Sequence, residues 1–415
     1  MKLICAPAIE NDGGAVLCET ESEAVTDTAI GPGDQDTASC EIEEVLAHGE
    51  LGFRKLDSEL LPGKEAVSDI MIACVIHGAK DLKIEERPEP RPEETEVLVR
   101  FGAGGICGSD LHYYHRGRVG DFALREPMVL GHEVAGEIVE VGRNVTKVRV
   151  GQRVAVNPTR ACLTCDYCLS GKSNLCRNVR FFGSAARFPH VQGAFAELFT
   201  ASEHQCVPIP DSLSYRLAAC AEPFAVTLHA VARAGNILGR RVLVTGSGPI
   251  GVLAVGAVRL AGAAQIVVTD LFDEPLRIAE RMGATQVVNV GAPSSEFEIF
   301  TREGGWFDVA IEVSGNARGL ENCIDATRPG GRIVQVGLLP PGSSNVPVNK
   351  VTAKELEIAG TFRFHEEFQW AVDALIAGRI DVAPILSGAY KFPEATTAFE
   401  LASDRQKAMK VSFVA

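Results

Sequence analysis

The stretch "RVLVTGSGPIG" (residues 241–251) restricts the fold of this chain more than any other. Four strand-forming residues run straight into G-x-G-x-x-G, with Gly246, Gly248 and Gly251, and an apolar helical pattern follows. Glycines at these places permit a tight turn, close approach of a backbone to a pyrophosphate and tight helix–strand packing. Pro249 and Ile250 complete the turn and open the helix, whose first N–H groups offer an anion site. Asp270 ends the next apolar strand, 19 residues after Gly251, where an acidic residue binds adenosine ribose hydroxyls. The bland alternative for Asp270 is a helix cap. A carboxylate there repels a 2′-phosphate, and the adjacent Leu271 and Phe272 supply no cation, so NAD is expected over NADP.

Strand and helix patterns alternate from about residue 235, through "QIVVTD", "EPLRIAERMGA", "QVVNV", "FDVAIEVSG", "GRIVQVG" and "LEIAG". Such alternation predicts parallel βαβ units. Residues 97–160 instead carry short Val-rich segments separated by Gly turns, which predict a small antiparallel β domain with long loops. One loop holds "CLTCDYCLSGKSNLC", with thiols at Cys162, Cys165, Cys168 and Cys176. Disulfides, a redox pair or zinc could each use them. The N-terminal sequence lacks a signal-peptide pattern, and the repeat C-x2-C-x2-C-x7-C is not a single redox C-x-x-C. Four thiolates around a tetrahedral Zn²⁺ fit best, and a shell filled by sulfur is structural.

The chemistry must then lie elsewhere. Cys107 in "GGICGSDLHYYHRG" precedes His132 of "GHEVAGEIVEVG" by 25 residues, Glu133 follows, and Glu222 lies in "AEPFAV". These unlike ligands suit an open, catalytic zinc. Of the net charge of −14, residues 1–70 contribute −12, with 16 acidic against 4 basic residues. That segment lacks hydrophobic periodicity and reads as a disordered acidic extension. No basic stripe supports nucleic-acid binding, and no run approaches the roughly 20 apolar residues of a membrane span. A cytoplasmic protein acting on a small molecule is expected.

With "PMVLGHEV", "RFFGSAARFPHVQGAF" and "GTFRFHEEF", these motifs resemble the zinc-dependent medium-chain alcohol dehydrogenase family over residues 71–415. The resemblance implies an α/β architecture: a GroES-like β-rich catalytic domain (71–227 and 363–415) plus a Rossmann doubly wound parallel sheet (228–362). It implies two zincs per chain, NAD, and a homo-oligomeric dimer or tetramer. Cys107, His132 and either Glu222 or a zinc-bound water would surround the catalytic metal, with Glu133 alternating or adjacent, and Asp110 would orient His132. Ser109 and His112 would relay a proton; their bland alternatives are a turn cap and a surface histidine. Tyr114, Phe122, Phe182 and Arg363 would line the substrate, although Arg363 could instead pair with Glu366 or Glu367. The "RFFGSA" and "FRF" segments imply L-idonate, oxidised reversibly at C5 to 5-keto-D-gluconate, with sorbitol, xylitol or arabitol as the alternative.

Overall fold

A computed structural model describes residues 69–292 and 296–415; the extension expected over 1–70 lies outside the described residues except for Asp69 and Ile70. Strands β1 (Ile70–Gly78) and β2 (Asp81–Pro88) form a hairpin ahead of β3 (Glu96–Gly105), the strand around which the first sheet is built. β3 is buried at nearly every position, as a strand with neighbours on both edges and cover on both faces must be. Helix α1 (Gly108–Arg116) follows at once and stops at Gly117, whose φ of 63° takes the left-handed C-cap conformation. Strands β4 (Glu133–Val141) and β5 (Arg153–Val156) continue the sheet antiparallel from one edge of β3. β6 (Leu198–Ser202) pairs with its other edge, and β7 (Cys206–Pro208) adds outside β5.

Helix α2 (Ala221–Ala234) runs unbroken across the boundary expected between residues 227 and 228. It is Ala-rich, carries Pro223 in its first turn where no N–H is needed, and ends at Gly235. Its first turn brings Glu222 to the β-rich part, and the helix also packs against the one that follows the glycine turn.

The second sheet alternates β8 (Arg241–Thr245), α3 (Pro249–Leu260), β9 (Gln265–Asp270), α4 (Asp273–Met282), β10 (Gln286–Asn289), β11 (Phe307–Glu312), α5 (Ala317–Ala326), β12 (Thr327–Gln335) and β13 (Glu357–Gly360). All its pairings are parallel, in the order β10-β9-β8-β11-β12-β13. The order reverses between β8 and β11, and ligands of such sheets bind at the carboxyl ends beside that reversal.

Beyond β13, helix α6 (Glu367–Ile376) packs on α2. The chain then returns to the first sheet through β14 (Leu386–Tyr390), α7 (Ala395–Ser403) and β15 (Lys410–Val414). β15 pairs antiparallel with β3, Ser412 opposite Gly105. Phe101, Phe195, Phe392 and Phe413 weld this return in place, with ring centroids 4.9–6.5 Å apart in tilted or edge-on geometry. Each such pair adds about 0.5–1.5 kcal/mol beyond area burial. Phe413 is fully buried, and truncating it to Ala would cost about 3–5 kcal/mol. Among the described residues, no helix is long and apolar enough to cross a membrane.

Candidate functional site

The four loop cysteines come together around a short helix, Asp166–Leu169, and the turn Ser173–Leu175. Cys165 Sγ lies 3.6 Å and Cys162 Sγ 4.0 Å from Cys168 Sγ. A disulfide would require about 2.05 Å. Thiolates around zinc at a Zn–S distance of about 2.3 Å are separated by about 3.8 Å along each tetrahedral edge. One sulfur from each residue lies within 4.8 Å of the others, so the set fits a closed zinc shell. Hydrogen bonds from Thr164 pull the Cys162 thiol down to about 5, favouring the thiolate. The backbone N–H groups of Cys162 and Asn178 donate to Cys176 Sγ.

The second cluster is built at the N-terminus of α1 and the start of β4. Ligand atoms of Cys107, His132 and Glu133 all lie within 4.8 Å of one another. Asp110 Oδ2 accepts from Cys107 N at 2.9 Å, and its Oδ1 lies 3.6 Å from His132 Nδ1, a buried nitrogen with no hydrogen-bond partner. Glu133 has room because position 105 is glycine; a Cβ there would stand 2.1 Å from Glu133 Oε2. Lys410 grips both Glu133 oxygens at 2.7 and 2.8 Å. Glu133, not Glu222, completes the compact trio, because β4 delivers it directly after His132. Glu222 stands beside the trio as a buried carboxyl, pushed up to about 8 chiefly by burial, with His132 and Lys410 opposing and Glu133 and Cys107 reinforcing.

Arg363 reaches the same cleft. Its guanidinium carbon lies 4.4 Å from the ring centroid of Phe181 and 4.8 Å from that of Phe362, both cation–π distances. Burial lowers its pKa, while Glu222 and Tyr113 act in the opposite direction. Its Nη1 is buried without a hydrogen-bond partner. Glu367 does not pair with it; that carboxylate binds His229 and the N–H of His365.

Two residues expected to line the substrate, Tyr114 and Phe182, have their partners elsewhere. Tyr114 is buried on the far side of α1, where its hydroxyl donates to Glu400 at 2.7 Å and its ring packs on Phe399. Tyr113 turns towards the cleft instead, one helical step (i, i+4) from Ser109, and its hydroxyl accepts from Ala185 N at 2.9 Å. Phe182 packs edge-on to Phe199 in the sheet, 6.1 Å between centroids, whereas Phe181 faces His132 at 5.3 Å. Phe181 and its neighbour Phe182 point to opposite sides of an extended segment, whereas Tyr113 and Tyr114 are successive residues of α1, about 100° apart around the helix. Phe122 stands exposed on the hairpin Arg118–Val119/Phe122–Ala123. Ser109 Oγ lies 3.5 Å from His132 Nε2, and His112 is exposed one turn further along α1.

The coenzyme turn sits where the strand order reverses. Gly246 has φ +87°, and a Cβ on Gly251 would lie 1.9 Å from Gly246 O. Pro249 and Ile250 open α3 behind Gly248. A cavity of about 320 Å³ beside this turn is lined by Gly246, Asp270, Asn316, Arg318 and Arg405. Asp270 accepts from Ser247 N at 2.7 Å and from Leu271 N at 2.7 Å, so it buttresses the turn as well as facing the cavity. The residues fit a dinucleotide.

Residues 93–211 match the family described as "Alcohol dehydrogenase GroES-like domain" and residues 249–377 the family "Zinc-binding dehydrogenase". L-idonate 5-dehydrogenase (NAD(P)(+)) of Escherichia coli K12 is 40% identical over 342 residues, 82% of this chain and 98% of the relative. The chain belongs to the zinc-dependent medium-chain alcohol dehydrogenases. Sorbitol dehydrogenase of Bacillus subtilis is 39% identical to this dehydrogenase over 338 residues, 80% of the chain and 93% of the relative. The crystal structure of L-idonate 5-dehydrogenase from Escherichia coli K-12 superposes with a TM-score of 0.80 at 39% identity, covering 84% of this dehydrogenase and 99% of that chain. The fold of this dehydrogenase is accordingly the GroES-like β domain plus Rossmann sheet.

Four residues of the dehydrogenase's site carry no signal in the sequence alone. Phe181 and Tyr113 adjoin the expected Phe182 and Tyr114, and only the face of the loop or of α1 separates them. Lys410 and Arg405 come from the far end of the chain. Arg405 reaches back to the glycine turn, where its Nη2 lies 3.2 Å from the place of a Cβ on Gly248. Arg405 and Arg318 also amend the cofactor argument, since cations missing from Leu271 and Phe272 enter the Asp270 cavity from elsewhere.

Proposed function

We propose that this dehydrogenase oxidises L-idonate at C5 to 5-keto-D-gluconate, reversibly, with NAD as the preferred coenzyme. The observation that carries the substrate reading is Arg363, whose buried Nη1 has no partner and stands in the cleft with Glu222 and Tyr113. A buried donor without a partner is costly, and an aldonate carboxylate would satisfy it with a charge-assisted hydrogen bond. A neutral polyol offers no such anion.

Cys107, His132 and Glu133 would hold the catalytic zinc, and Cys162, Cys165, Cys168 and Cys176 the structural one. When bound, zinc supplies Lewis acidity to the hydroxyl undergoing oxidation, and NAD accepts the hydride. Asp110 faces His132 Nδ1 at 3.6 Å, an ion-pair distance, and Nε2 would face the metal. Ser109 Oγ, 3.5 Å from His132 Nε2, would take the hydroxyl proton towards His112 and solvent. Phe181 closes one side of the cleft and keeps the Arg363 guanidinium dry, which strengthens its grip on an anion. Gly246, Gly248 and Gly251 with the start of α3 would take the pyrophosphate, and Asp270 the adenosine ribose.

NADH formation on a panel of L-idonate, sorbitol, xylitol and arabitol tests the reading; L-idonate should give the highest kcat/KM, and a neutral polyol giving the highest would replace it. On the coenzyme side, Asp270→Ser should raise the NADP/NAD ratio of kcat/KM by about tenfold or more, because Arg318 and Arg405 already border the cavity. An unchanged ratio would remove Asp270 as the discriminator.

A further inference from the structure

We infer that the four-cysteine lobe is a positioning element for Arg363, acting through Asn174 and Ser173 on the turn that carries that residue. The inference rests on the reading of Arg363 as the substrate's cation.

Arg363 has φ +55°, a left-handed conformation that a residue with a Cβ holds only where its surroundings fix it. The fixing groups flank it on both sides. Asn174 Nδ2 donates to the carbonyl of Phe362 at 3.0 Å. Ser173 Oγ lies 2.5 Å from His365 Nδ1. The N–H of His365 donates to Glu367 Oε2 at 2.7 Å, and Glu367 Oε1 lies 2.9 Å from His229 Nδ1. His229 Nε2 is 3.5 Å from Asn174 Nδ2, so one amide group bridges α2 and the Arg363 turn. A single tautomer satisfies this network, with His229 Nδ1 donating to the carboxylate and Nε2 accepting from the amide. Asn174 and Glu367 are buried, so water does not replace these bonds.

Ser173 and Asn174 occupy the turn between the third and fourth cysteines. Their place is set by the gathering of those thiols, with Cys176 Sγ itself accepting from Cys162 N. The lobe thus reaches the substrate cation without touching substrate. Its consequence is on binding of an anion, not on the chemical step.

Asn174→Ala and Arg363→Ala, singly and together, test this. Asn174→Ala should raise KM for L-idonate about fivefold to tenfold with kcat within about twofold, and should change KM for sorbitol less. It should add nothing in the Arg363→Ala background, since the two act as one unit. A second readout needs no turnover: phenylglyoxal modification of Arg363, followed by mass spectrometry, should be several-fold faster in Asn174→Ala at unchanged zinc content. If Arg363→Ala raises KM for L-idonate while Asn174→Ala alters neither KM nor the modification rate, the positioning role is wrong and the substrate reading stands. If Asn174→Ala speeds modification but Arg363→Ala leaves KM for L-idonate unchanged, the substrate reading fails and the positioning role stands. Should Asn174→Ala not fold, Ser173→Ala removes only the His365 bond: a raised KM for L-idonate with faster modification supports the positioning role, and no change in either overturns it.

Discussion

Lys410 Nζ sits 2.7 and 2.8 Å from the two carboxylate oxygens of Glu133, and both residues are buried. It also donates to Ile106 O at 3.2 Å. β15 thus carries a positive charge beneath the trio Cys107, His132 and Glu133, and that contact closes the sheet around the site. Burial alone would lower the ammonium pKa, but Glu133, Cys107 and Cys220 raise it above the ordinary lysine value. Lys410→Met leaves Glu133 buried without its cation and should cost about 3–5 kcal/mol in urea unfolding. A loss below about 1 kcal/mol would mean that water or metal compensates for the lysine.

The two clusters of candidate ligands should separate in their effects. Cys165→Ser should bring zinc content from two towards one per chain and lower unfolding stability, because zinc bound by a closed sulfur shell contributes folding free energy. Cys107→Ser should also lose one zinc, but with turnover abolished and NADH binding retained. Elemental analysis, fluorescence titration of NADH and steady-state rates on the same samples check both. Wild-type turnover in the Cys107 variant would remove that residue from the catalytic centre.

Acid stability has an identifiable contributor in Glu203, whose Oε2 accepts from the N–H groups of Thr146 and Lys147 at 2.8 Å each. The Thr146 bond is the chief cause that holds its pKa below the ordinary 4.5, with burial opposing it. A depressed folded pKa means stability that is fully present above the unfolded value and is lost as pH falls through the folded one. Glu203→Gln should therefore cost about 1.5 kcal/mol at pH 7, with the gap to wild type narrowing below about pH 4.5. Urea midpoints across that range read the gap, and one that widens on acidification would reverse the sign of the linkage.

Local patterns in the chain are legible where structure is local. The run from strand to glycine turn to helix at 241–260 and the four thiols of 162–176 each need only their own neighbours to be understood. Facing is harder. Tyr113 and Tyr114 are both aromatic and both on α1, and only the packing of Tyr114 against α7 tells which one the cleft receives. Partners remote in sequence are out of reach: Glu133 and Lys410 are 277 positions apart, and nothing in "AMKVSFVA" marks its lysine as internal. The same holds for Asn174 and Phe362, 188 positions apart. The boundary expected at 227/228 comes from the family resemblance, whereas α2 is continuous because its Ala-rich sequence contains no breaker until Gly235.

The ratio of kcat/KM for L-idonate to that for sorbitol, measured with NAD on wild type and Arg363→Ala, bears most directly on the proposed activity. The buried, unpartnered Nη1 of Arg363 should favour the anionic substrate. The account predicts a wild-type ratio above one that falls about tenfold in the variant, equivalent to about 1.4 kcal/mol of anion binding. A wild-type preference for sorbitol, or equal losses on both substrates, would contradict it.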